Sequence, residues 1–226
     1  AVVEVIDDLG GLDLNITQGE MNQINKYKKD VDGVTGKNTP NVTQYGLVHL
    51  DGTQATTYAR IRKLSGDDFK RASRQRIVLQ AMLEKAKKAN PATLVKICNS
   101  VVDDISTTLS LDQMVSLAKD VTKYKISSTT GFPTDLTTKN MPRCGDTVIP
   151  ADLVTNVKKL HEYMFDDATY TPSQTVQAIS DTIVNTTGIT ADSAKINTSD
   201  YNETVGATGT DEIQKGSETT GGTNVQ

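Results

Sequence analysis

One long amphipathic segment constrains the fold more than any other feature. From Asp67 or Asp68 to about Ala89 nothing breaks helical spacing, and Phe69, Ala72, Ile77, Val78, Ala81, Met82 and Leu83 form a wide apolar band. Much of this helix is therefore expected inside the protein, and Asn90-Pro91 ends it, because the residue before a proline is pushed out of helical geometry.

The segments on either side alternate in type. Val2, Val3, Val5, Ile6 and Leu9 read as an opening helix that Gly10-Gly11 breaks, and Leu12-Asp13-Leu14-Asn15-Ile16 has the period-two pattern of a half-buried strand. Thr17 and Glu20 have capping-box spacing for a helix carrying Met21, Ile24 and Tyr27. The stretch from Asp32 to Tyr45, with its Gly, Asn and Thr and with Pro40, predicts a loop, and a short helix follows from Asp51 to about Tyr58. Later in the chain, helices are expected from Pro91 or Thr93 through Val102 and from Ser110 to Lys123. Strands are expected over Tyr124–Thr130 and roughly Thr147–Ile149, with turns around Gly131, Pro133, Pro142 and Gly145. Pro150 leads into a helix with Leu153, Val157, Leu160 and Phe165, and Thr171-Pro172-Ser173 opens another that Gly188 closes. From about residue 191, polar and glycine-rich sequence without apolar periodicity predicts a disordered tail.

With 226 residues the chain has room for one α/β domain with a real core plus an appendage. The net charge of −4 leaves no broad positive surface for duplex nucleic acid, and no helix-turn-helix with a basic face is evident. No apolar run reaches 18 residues, and Asp7 and Asp8 interrupt the first apolar stretch, so Ala1 does not open a signal peptide. The first residue is not Met, and the opening helix lacks an N-cap, so the chain is expected to begin inside a domain.

Within this acidic chain the positive charge is concentrated. Arg60, Arg62, Arg71, Arg74 and Arg76 fall in one short stretch together with Asp67-Asp68. In an extended segment Arg60 and Arg62 face the same way while Ile61 turns to the core. On the long helix Asp68, Arg71 and Gln75 share a face. Converging guanidiniums bind phosphate bidentately, whereas the plain alternative is helix-surface ion pairs with Arg60 and Arg62 solvated.

The order of these residues decides between the two. Leu50-Asp51-Gly52-x-Gln54-Ala55-x-x-Tyr58-Ala59-Arg60-x-Arg62, then Asp67-Asp68-Phe69-x-Arg71-x-x-Arg74-Gln75, resembles the signature of the LytR-CpsA-Psr family. Val3-x-x-Ile6-Asp7-x-Leu9-Gly10-Gly11-Leu12-Asp13-Leu14 resembles that family's helix-to-strand segment. The resemblance covers about residues 1–168, leaving 169–190 as a helical extension and 191–226 as a low-complexity tail. It implies the C-terminal part of an α/β/α sandwich around a central mixed sheet.

It also implies an enzyme on the extracytoplasmic face of a Gram-positive-type cell membrane, anchored by an N-terminal helix that these residues do not include. Such an enzyme moves glycopolymers such as wall teichoic acid or capsule from an undecaprenyl-pyrophosphate carrier to peptidoglycan. By motif position Arg60, Arg62, Arg71 and Gln75 would contact the pyrophosphate, with Arg74 in a less defined role. Asp68, paired with Arg71 as the catalytic group, would act as base or arginine orienter. The family's paired aspartates for Mg2+ or Mn2+ are absent from these residues, so no metal ligand is assigned here, and the segment alone is expected to be inactive. Thr56 stands where the family usually has Leu. A polyprenyl-phosphate or wall-polymer binding module and a polyprenyl pyrophosphatase are the alternatives.

Remaining candidates are weaker. Cys98 and Cys144 lack the clustered spacing of a zinc site and are either a disulfide or two buried thiols; the extracytoplasmic setting implied by the resemblance favours the disulfide. His49 and His161 read as surface or core-edge residues, and Asp103-Asp104 and Asp166-Asp167 as helix-end or loop charges.

Overall fold

The computed structural model describes residues 1–62 and 67–201, apart from the side chains of Asp67 and Asp68. They divide into two compact units, with the boundary between Lys123 and Tyr124.

The first unit begins with α1 (Val2–Asp8), β1 (Leu12–Ile16), α2 (Gln18–Thr35), β2 (Gly46–Leu50) and α3 (Gly52–Ala59). It continues with α4 (Asp67–Lys88), α5 (Pro91–Val101) and α6 (Leu111–Lys119). Gly10 and Gly11 both have positive φ (79° and 78°), which glycine adopts without a Cβ clash, and this turns α1 sharply into β1. β1 pairs antiparallel with β2, Leu12 opposite Leu50 and Ile16 opposite Gly46. Ile6, Leu12, Leu14, Ile16, Ile24, Leu50, Ala55, Tyr58, Ile61, Ile77, Val78 and Ala81 make one core. The long helix α4 contributes Ile77, Val78 and Ala81 to it, as its apolar band requires.

The second unit holds β3 (Asp135–Met141), β4 (Gly145–Pro150), α7 (Leu153–Phe165), α8 (Gln174–Thr187) and the short β5 (Ile196–Asn197). β3 is the central strand of a three-stranded antiparallel sheet, paired with β4 and β5. Asn156, fully buried on α7, joins strand to helix: its Oδ1 accepts from the Asp135 amide at 2.9 Å, and its Nδ2 donates to the carbonyls of Asp135, Ala151 and Asp152.

Helices and sheets combine as the sequence suggests, with several corrections. Among the described residues the strands form two antiparallel sheets, not one mixed sheet. β2 and β3 have no clear sequence signal, and α2 extends to Thr35, into the expected loop. Tyr124–Thr130 forms no strand. The compact division falls at residue 123, and α8 packs with α7 inside the second unit. Residues 191–201 do not belong to a tail either. β5 adds to β3, and Thr198 is tied to the carbonyls of Thr134 and Gly131 at 2.8 and 3.0 Å. These ties run mainly through backbone groups, which apolar periodicity does not report. The rest of the tail lies outside the described residues.

The Cys98–Cys144 disulfide is not present among the described residues. Cys98 on α5 and Cys144 in the β3–β4 turn are both free thiols. They belong to different units. No helix among the described residues is long and apolar enough to cross a membrane.

Candidate functional site

The site is built around α3. Asp51 caps the helix: its Oδ1 accepts from the Gln54 amide at 2.8 Å, and its own amide donates back to Gln54 Oε1 at 3.0 Å. Gln54 Nε2 also holds the Pro40 carbonyl at 3.0 Å, which draws the loop before β2 over the helix. At the same end the Gly52 amide donates to Asp7 Oδ1 at 2.7 Å, and a Cβ on Gly52 would stand 2.1 Å from the Val3 carbonyl oxygen. Helix α3 therefore docks on α1 at a distance only glycine permits. Asp7 and Gly52, each in one of the two motifs that sequence singled out, are two halves of one contact.

At its other end α3 stops at Arg60, and the chain leaves with Ile61 buried and Arg60 and Arg62 exposed. The alternation read from the sequence holds: Arg60 and Arg62 line one cavity of about 190 Å³, with Ile61 and Thr57 beside them. The opposite wall is a face of α2 formed by Tyr27, Asp30 and Val31, at i, i+3 and i+4. Most of the lining surface is apolar, and Arg60 and Arg62 are exposed cations on it. Arg60 makes no side-chain hydrogen bond or ion pair among the described residues.

Arg74, whose role the motif left less defined, is engaged in the fold. It is buried on α4, with Nε 2.7 Å from Glu20 Oε1 and Nη1 3.4 Å from the Ile61 carbonyl, and its guanidinium lies 6.0 Å from the Tyr58 ring centre. Glu20 Oε2 meanwhile accepts from the Thr17 amide at 3.0 Å in the capping box of α2. Arg74 therefore ties α2 to α4 and holds the carbonyl between Arg60 and Arg62. It positions the pair and is not open to a pyrophosphate.

Arg71, half-buried, and Gln75, exposed, stand at i and i+4 on α4, but neither lines the cavity. The side chain of Asp68 lies outside the described residues. Among the described residues no group of three or more His, Cys, Asp or Glu could hold a metal ion, so no metal-dependent step is assigned to them. Tyr27, Asp30 and Glu20 were missed as site residues. The capping box foretold α2, but nothing local showed that its far end faces the arginines.

The other polar clusters are structural. Asp13 on β1 sits opposite His49 on β2, with His49 Nδ1 at 2.8 Å and Lys85 Nζ of α4 at 2.8 Å. The hydrogen bond from Lys85, then that from His49, holds the Asp13 carboxyl below the usual range. His49 is a surface residue, as expected. In the second unit, His161 stacks on Tyr170 with ring centres 3.3 Å apart, and Asp166 ends α7 in the left-handed conformation.

The LytR_cpsA_psr family matches residues 1–159. Among curated proteins, the polyisoprenyl-teichoic acid–peptidoglycan teichoic acid transferase TagU of Bacillus mycoides (strain KBAB4) is 31% identical over 105 residues, covering 42% of this chain and 34% of the relative. TagV of Bacillus subtilis (strain 168), which bears the same transferase name, is 28% identical over 116 residues, covering 50% and 27%. The match thus spans about a third of the length of these relatives. Among solved structures, Bacillus subtilis TagV aligns with TM-score 0.48 and 20% identity over 76% of this chain and 61% of that one. TagT bound to LIIa-WTA aligns with TM-score 0.44 and 22% identity over 83% and 58%.

Proposed function

The chain belongs to the LytR-CpsA-Psr family, and from that premise we propose that it is part of a transferase that moves a glycopolymer from a polyprenyl-pyrophosphate carrier to peptidoglycan at the extracytoplasmic face of a Gram-positive-type membrane. Its relatives by sequence are named teichoic acid transferases, which supports a wall glycopolymer as cargo. The observation that carries the reading is the cavity: a mostly apolar lining that includes the exposed Arg60 and Arg62. That pairing suits an amphiphile with a long hydrocarbon chain and a doubly anionic head.

In the proposed reaction an acceptor hydroxyl attacks the phosphorus that carries the glycan. A new O–P bond forms, the bridging P–O bond breaks, and the polyprenyl phosphate leaves with the electron pair. Phosphoryl transfer asks a protein mainly for positioning and charge neutralisation, which planar guanidiniums supply. Arg60 and Arg62 would hold the pyrophosphate, with Arg71 and Gln75 on α4 as further contacts and Asp68 as their orienter. Mg2+ or Mn2+, bound by residues outside this segment, would add neutralising charge, and a membrane anchor would lie outside it too. Neither is needed for the roles given to these side chains.

The test uses the full-length protein, a labelled polyprenyl-pyrophosphate glycan and peptidoglycan. Arg60→Ala, Arg62→Ala and Arg71→Ala should each weaken carrier binding by about 1.5–3 kcal/mol, the scale of a charge-assisted hydrogen bond. Lysine should rescue only in part, because a point charge loses the fork. Unchanged affinity in all three variants refutes the site. Binding without transfer makes the protein a carrier module, and phosphate release without peptidoglycan makes it a pyrophosphatase.

A further inference from the structure

We propose that Asp30, on the α2 wall of the arginine cavity, is the catalytic group that takes the proton from the acceptor hydroxyl. This rests on the transferase reading above and assigns the one chemical role in it that arginine cannot fill.

Several other carboxylates of this unit are engaged in the fold. Glu20 binds Arg74 and caps α2, Asp51 caps α3, and Asp7 receives the Gly52 amide. Asp32, two residues beyond Asp30, is buried, accepts from the Thr39 amide at 3.2 Å and lies 3.9 Å from Lys28 Nζ. Asp30 is exposed and has no hydrogen bond or ion pair among the described residues, although Lys26 lies one helical turn before it. Its helix face is fixed by Val31, which is 5% exposed and anchors the turn to the core. Asp30 therefore lines the cavity that Arg60 and Arg62 also line, and no ion pair joins it to them among the described residues. The cavity these three side chains line has a volume of about 190 Å³.

A bare carboxylate here works against binding of an anionic head group by simple repulsion. The chemistry supplies the compensation. A sugar hydroxyl that attacks phosphorus must lose its proton, and guanidiniums stay protonated throughout. In other phosphoryl transfers to hydroxyls an aspartate accepts that proton as the O–P bond forms. Here the proton would pass from the acceptor oxygen to the Asp30 carboxylate and then to water, while the polyprenyl phosphate takes the electrons of the broken P–O bond.

The role separates binding from turnover, which an arginine contact cannot do. In the full-length protein Asp30→Asn should bind a short-chain polyprenyl pyrophosphate as tightly as wild type or up to about tenfold more tightly, since a like charge is removed. Its transfer rate to peptidoglycan should fall by about a hundredfold or more, the range of a lost general base, and the acidic limb of the rate profile should disappear. Asp30→Glu should recover part of the rate. Because Asp30 supports no contact in the fold, the thermal melt of Asp30→Asn should match wild type. Weakened carrier binding, transfer within about twofold of wild type, or an acidic limb that survives in Asp30→Asn and vanishes in Asp68→Asn would each overturn the assignment. A wild-type protein that neither binds nor transfers refutes the transferase reading itself. An active wild type with an unaffected Asp30→Asn refutes only this inference.

Discussion

Glu20 uses both carboxylate oxygens on the fold, one on the Thr17 amide and one on Arg74. The two partners are nearly excluded from water, at 6% and 4% side-chain exposure, so removing one leaves a buried charge uncompensated. Arg74→Ala or Glu20→Ala should cost about 3–5 kcal/mol in denaturant unfolding, and Arg74→Met, which fills the volume, should cost less when paired with Glu20→Leu than either single change predicts. Additive costs in that double variant would mean that the pair acts through packing alone. In the sequence Arg74 looks like the arginines around it, because its partner lies 54 positions earlier. Arg60 and Arg62 were legible for the opposite reason: a three-residue alternation around Ile61 is enough to place them.

At the scale of elements, Asp152 shows how a cap can outweigh backbone strain. It has positive φ (66°), yet its carboxylate accepts from the amides of Val154 and Thr155 and from the Ser180 hydroxyl at 2.9 Å, which fastens the start of α7 to α8. Burial pushes its carboxyl up, but the hydrogen bonds from Thr155 and Ser180 outweigh this and hold it below the ordinary carboxylate range. A folded-state value below the unfolded one stabilises the protein above the unfolded value, and that stabilisation is lost as pH falls through the folded one. Asp152→Ala should therefore be less stable than wild type by about 0.5–2 kcal/mol near neutral pH, and the gap should close in acid as the wild-type carboxylate protonates. Urea unfolding of both proteins across that range is the measurement, and a gap that persists unchanged in acid would assign the effect to backbone strain. The helix itself was legible from Leu153, Val157 and Leu160. Its cap was not, because Pro150 marks only the neighbourhood of the start and Ser180 lies on another helix.

For the whole molecule, the division at residue 123 puts the arginine cavity entirely in the first unit. The second unit has few fully buried apolar side chains, chiefly Leu136, Ile149 and Ala151, so Asn156 carries an unusual share of its order. Periodicity could not flag an asparagine as central, since its worth lies in the backbone groups of β3 and the β4–α7 connection that it satisfies. Asn156→Ala strands several buried backbone groups, each at about 1–3 kcal/mol, a large fraction of what an ordinary domain has in total. The second unit should then lose hydrogen-exchange protection along β3 and β4 while β1, β2 and α3 keep theirs. Binding of a short-chain polyprenyl pyrophosphate should stay within about threefold of wild type, because Arg60 and Arg62 are held by Arg74, Ile61 and α3, all in the first unit. If Asn156→Ala instead abolished that binding, the two units would be one cooperative body, and the second would have to be counted among the elements that hold the site.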